Sequence, residues 1–125
     1  LRQAQAVVET HAVDVVAITG DVYDRPVPPV AATRLLDDFL DGLLRRPGVS
    51  VVMIPGNHDS AERLGFARRL LGVARLHIAG GDRRIEIVTL EDQHGPVTFF
   101  AVPYVSPPEF REVVEEDRPK SFTDI

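Results

Sequence analysis

Residues 49–60 read VSVVMIPGNHDS. The first six are small or apolar and rich in β-branched side chains. They lack the polar alternation of a half-exposed strand, so they predict a strand buried on both faces. Pro55-Gly56 ends it, because proline cannot donate to a ladder and glycine lets the backbone turn. Asn57, His58 and Asp59 then stand side by side. Such a trio has two readings. One is a turn into a helix, with Asp59 as the cap over residues 61–71 and Glu62 three residues on in the capping-box pattern. The other is part of a metal site.

The flanking sequence bears on the choice. Residues 13–19, VDVVAIT, form a second short apolar run without alternation, also expected as a buried strand. It too ends at a glycine and a polar cluster, Gly20-Asp21-Val22-Tyr23-Asp24. Pro26, Pro28 and Pro29 make the next segment a loop. Between the two strands, residues 30–46 place Leu35, Leu36, Phe39, Leu40, Leu43 and Leu44 at helical spacing, and Pro47-Gly48 stops the helix. Residues 1–12 carry Ala4, Val7, Val8 and Ala12 on one helical face. Strand–helix–strand of this kind predicts parallel pairing with a right-handed crossover, and both strands then end at one rim, where open α/β sheets bind ligands.

Downstream, residues 74–79, 83–90 and 97–105 read as strands, with turn chemistry at Gly80-Gly81-Asp82 and Gln93-His94-Gly95. PPEFREVVEED, residues 107–117, opens a helix with proline in its first turn. The fold expected is α/β: a layered sandwich with a mixed β-sheet flanked by helices.

Composition narrows the function. The 125 residues are 44% hydrophobic and 26% charged, ordinary for one globular domain. There is no cysteine, which excludes disulfides and thiolate metal sites. A net charge of −5 provides no general basic footprint, so contact with nucleic acid would have to be local. No apolar run approaches the ~20 residues of a membrane span, and a cytoplasmic location is expected. The chain opens within a helical pattern at Leu1 and closes on the polar RPKSFTDI. The expectation is that residues 1–125 are the central part of one domain, truncated at both ends.

A Gly-Asp block after one strand and Gly-Asn-His-Asp after the next resembles the calcineurin-like metallophosphoesterase superfamily, whose blocks include GDxxD and GNH[DE]. The wider context, VDVVAITGDVYDRPVPPVAATRLLDDFL, VSVVMIPGNHDS and FFAVPYVSPPEFRE, resembles the branch that contains the nuclease subunit of SbcCD-type exonucleases. The Pro-rich turn after Arg25, where phosphatases of the superfamily have Arg-Gly, favours the nuclease branch.

The resemblance implies roles residue by residue. Asp21 matches the carboxylate bridging two divalent metal ions, and Asn57 the amide ligand of the second. Manganese is expected, with magnesium, iron or zinc as alternatives, since oxygen and imidazole donors suit hard or borderline cations. His58 matches the catalytic histidine beside the scissile phosphate, and Asp24 the residue that orients it. Asp59 is read as the helix cap and Arg25 as a solvated loop residue. His11, His77 and His94 are assigned no ligand role, and Tyr23 is expected to pack. Leu36, Phe39, Leu40 and Leu43 are read as core, with the branch's dimer interface near this helix as a further expectation. The implied partners are DNA, an SbcC-like ATPase subunit and a second copy of the protein, with no membrane. Two visible ligands cannot fill two coordination spheres of ~6 ligands each, and the superfamily's Asp-x-His and Gly-His-x-His blocks are not in this chain. The chain alone is therefore expected to be inactive or nearly so, and its sheet to expose an edge. Two alternatives stay open: another phosphoesterase acting on monoesters or small diesters, and a non-catalytic interaction module.

Overall fold

A computed structural model describes residues 1–81 and 85–108. Helix α1 (Arg2–Thr10) leads into strand β1 (Val15–Thr19), helix α2 (Val30–Leu44) and strand β2 (Ser50–Ile54). Two short helices come next, α3 (Ala61–Leu64) and α4 (Arg68–Val73), and then strands β3 (Leu76–Ile78), β4 (Glu86–Asp92) and β5 (Gly95–Ala101). No helix among the described residues is long and apolar enough to cross a membrane.

The expected parallel pairing is present. β1, β2 and β3 form a three-stranded parallel sheet in that order, with Val16 opposite Val51 and Thr19 opposite Ile54. The antiparallel strands do not extend it. β4 and β5 form a separate two-stranded sheet closed by the turn at Gln93-His94. The Asp92 carboxylate accepts the His94 N–H at 2.7 Å and sets that turn.

Strand periodicity of two sorts the parallel sheet into two faces. One face, carrying Val51, Met53, Leu76 and Ile78, packs on Val8 of α1 and on Phe39 and Leu43 of α2. Leu64 of α3 and Leu71 of α4 join the same cluster. Both crossovers step in one direction along the sheet, so crossovers of one hand put their helices on one side. The other face, through Val52 and Ala79, meets Val88 and Ala101 of the hairpin. The result is three layers: helices, parallel sheet, antiparallel hairpin. A strand that faces a layer on each side has no room for polar alternation, which explains VSVVMI.

Two expectations change. The single helix over residues 61–71 is two helices, broken where Ala67 takes a left-handed φ of 58°. Gly65 sits at the break because a Cβ there would lie 2.9 Å from the Ala61 carbonyl oxygen and 3.0 Å from the Gly80 backbone. Its cap is Ser60, whose hydroxyl accepts the Arg63 N–H at 3.3 Å, and not Asp59. The apolar face of α2 lies in the core as expected: Phe39 and Leu43 are buried and Leu36 and Leu40 pack beside them. The helix expected from Pro107 lies, beyond its first two positions, outside the described residues.

Candidate metal centre

The register that pairs Thr19 with Ile54 brings the loops after β1 and β2 to one rim. They touch through their glycines. Gly20 has φ 93°, and a Cβ on it would lie 3.0 Å from the Gly56 Cα. A Cβ on Gly56 would land on the Asp21 carboxylate and amide. Side chains at these two positions would hold the loops apart, so glycine here is a requirement of close approach.

Asp21 follows Gly20 in the left-handed region, at φ 46°. This conformation is uncommon for a residue with a Cβ, and Asp tolerates it better than most. One Asp21 oxygen, Oδ1, accepts the His58 N–H at 3.3 Å across the two loops. Asp21, Asn57 and His58 are all exposed. Asp21 and Asn57 line one cleft of about 330 Å³ with Pro55, Gly56, Pro103 and Tyr104. Tyr104 was assigned no role from the sequence. Its N–H donates to the Pro55 carbonyl at 3.1 Å, so the segment after β5 walls the cleft. Only the return of the hairpin to this rim reveals it.

Asp59 lies behind the rim, half-buried. Its Oδ2 accepts N–H groups from Gly56 at 2.8 Å and Val22 at 3.0 Å, and its Oδ1 accepts Tyr23 N–H at 2.8 Å. Asp24 is exposed and its carboxylate pairs with Arg25 at 3.1 Å. Among the described residues no hydrogen bond joins Asp24 to the His58 ring. The remaining histidines sit apart from the rim. His11 caps α1 with its ring on the Val7 carbonyl, His77 is in β3 and His94 in the hairpin turn. A larger hollow of about 880 Å³ opens at the opposite end of β1 and β2, beside Asp14, Ser50 and Asp92.

The calcineurin-like phosphoesterase family model matches residues 1–120. The chain belongs to the calcineurin-like phosphoesterase family. Among curated proteins it is 33% identical over 98 residues to the D subunit of the nuclease SbcCD from Staphylococcus saprophyticus, covering 74% of this chain and 24% of that protein. It is 26% identical over 124 residues to the corresponding SbcCD nuclease subunit from Staphylococcus epidermidis, covering 98% of this chain and 32% of that protein. The chain thus spans about a quarter to a third of the relatives it matches.

The donor set agrees with a phosphoesterase rim in part. Asp21 and Asn57 are two oxygen donors on one cleft, the kind that hard divalent cations take. Among the described residues no group of three or more His, Asp or Glu side chains converges to hold a metal ion. These residues fit a portion of a metal centre and would need further donors to complete it.

Proposed function

We propose that this phosphoesterase chain serves metal-dependent hydrolysis of phosphodiesters in DNA, as part of a nuclease acting in double-strand-break repair. The observation that carries the reading is the interlocking of the two glycine loops, which places Asp21, Asn57 and His58 on one rim. The relatives named as SbcCD nuclease subunits support a nucleic-acid substrate.

Asp21 and Asn57 would hold divalent metal, two ions with manganese favoured. When bound, the metal lowers the pKa of a coordinated water and offsets charge on the phosphate. His58 stands next to Asn57 on the rim, where its ring would stabilise developing charge and pass a proton to the leaving oxygen. Asp24 would orient that ring by leaving Arg25, an exchange that costs little because the Asp24–Arg25 pair is exposed. Donors from outside this chain would complete the centre, and the chain by itself would be inactive or nearly so. An SbcC-like ATPase subunit, DNA and a second copy of the protein are the partners, in the cytoplasm.

Calorimetric titration with Mn²⁺, on this chain and on a version extended at both ends, tests the reading. Two tight sites in the extended protein, both weakened by Asp21→Asn, are expected. No binding to the extended protein would make both loops structural turns and remove the enzyme reading. Cleavage of duplex DNA ends, against hydrolysis of a simple phosphate monoester, separates nuclease from phosphatase.

A further inference from the structure

We propose that Asp59 is a positioning residue: its carboxylate clasps the loop after β1 to the loop after β2 and so sets Asp21 and Asn57 relative to each other. The inference rests on the metal reading of the rim given above, and it assigns Asp59 neither a cap nor a ligand role.

The geometry is specific. Three backbone N–H groups from two loops converge on one half-buried carboxylate, at 2.8, 3.0 and 2.8 Å. Val22 and Tyr23 are adjacent residues of the first loop and Gly56 belongs to the second. The left-handed turn at Asp21 precedes Val22 and Tyr23, and successive N–H groups beside such a turn form an anion-binding concavity. Charge-assisted bonds of this kind are about twice as strong as neutral ones. The helix does not need Asp59, because Ser60 already accepts from Arg63.

The side-chain chemistry explains the residue type. Three converging donors require an acceptor with two oxygens and no hydrogen. An Asn amide would turn its NH₂ toward at least one backbone N–H, and a Glu would push the carboxylate past them. The peptide plane after Asp21 and the Pro55–Gly56 plane, one peptide ahead of Asn57, are then fixed by one group that touches both loops. Supporting groups behind metal ligands act in this way, and their loss costs about 10–100-fold in metal affinity.

The test joins two readouts on the version extended at both ends: amide hydrogen exchange without metal, and Mn²⁺ affinity with paramagnetic broadening. Asp59→Asn is expected to speed exchange at Val22, Tyr23 and Gly56, leave the strand amides of β1 and β2 protected, and weaken Mn²⁺ binding about 10–100-fold. Broadening should stay centred on Asp21 and Asn57. Ser60→Ala, which removes the cap alone, should change neither readout. Should Asp59→Asn lose protection throughout the sheet, Asp59→Ser, which keeps one acceptor, is the variant to compare and should give the same pattern at smaller amplitude. Unchanged exchange at the three amides overturns the clasp. Faster exchange with Mn²⁺ affinity kept within about twofold, against the loss expected of a supporting group, overturns the positioning role. If the extended wild-type protein shows no broadening at Asp21 and Asn57 while Asp59→Asn still loosens the three amides, the metal reading fails and takes the positioning role with it, and the clasp stands as structure.

Discussion

At the scale of single residues, the rim depends on two missing side chains and one carboxylate. Gly56 has no space for a Cβ because Asp21 occupies it. Gly56→Ala must either displace Asp21 or part the loops. Overpacking of this sort costs about 1–3 kcal/mol, and a fall in the urea midpoint with a matching loss of Mn²⁺ binding is expected. Asp21→Asn should behave differently. It keeps the volume and an acceptor for the His58 N–H, bonded at 3.3 Å in the structure. Thermal melting should then change little while Mn²⁺ affinity falls at least about tenfold, since an anionic oxygen has been replaced by a neutral one. A large drop in melting temperature for Asp21→Asn would mean that its main role is to hold the turn. Asp21 and Asn57 were readable as candidates because each follows a strand and a glycine. The task of Asp59 was not, because Asp before a helix looks like a cap whichever group it bonds.

At the scale of elements, the termination of α2 shows how distant residues finish a local pattern. Pro47-Gly48 stops the helix, and Gly48 takes φ 85°. The last carbonyls would still lack partners. Arg75, from the turn between α4 and β3, supplies them. Its guanidinium donates to Leu44 O at 2.8 Å, Val49 O at 2.9 Å and Arg46 O at 3.1 Å. Arg75→Ala removes all three donors and keeps the left-handed φ of 66°. Hydrogen bonds from charged groups contribute about 1.5–3 kcal/mol each at most, and partly exposed ones less, so a loss of about 2 kcal/mol in chemical denaturation is expected. Arg75→Lys should not restore it, because a point ammonium cannot span three carbonyls as a planar fork does. On the solvent side of α2, Arg45 donates to Asp41 at 2.7 Å, and this bond, followed by the charge of Asp41, raises the Arg45 pKa. Both groups are exposed, and salt should screen the pair. The helix pattern over residues 61–71 misled for a related reason. Only Leu64 and Leu71 of the segment reach the core, and the close approach of Gly65 to Gly80 breaks the helix between them.

At the scale of the whole molecule, one sheet separates two cores. Leu43 and Met53 belong to the helix side and Val88 to the hairpin side, and the two clusters share no member. Leu43→Ala should cost about 2–5 kcal/mol, since Leu43 is fully buried and its site cannot collapse fully. Val88→Ala should cost less, in proportion to the smaller side chain removed. Because the sites lie on opposite faces, the double variant should lose the sum of the two within about 0.5 kcal/mol, measured by urea unfolding. A larger loss would show that the layers unfold as one strained unit. Among the described residues β1 and β3 each pair only with β2, so the strand order leaves both edges of the parallel sheet unpaired.

The amino-acid sequence by itself determined the strand–helix–strand unit, its parallel pairing with both strands ending at one rim, and the family to which the two glycine blocks belong. Those features are local: apolar runs, glycines and polar clusters at fixed spacing. Tertiary structure alone decided that β4 and β5 form their own layer, that Arg75 completes α2, that Tyr104 walls the cleft and that Asp59 joins the loops. Each of these depends on backbone groups from separate segments meeting in space. A backbone N–H or carbonyl is the same at every position but proline, so the sequence carries no mark of which one a distant side chain will reach.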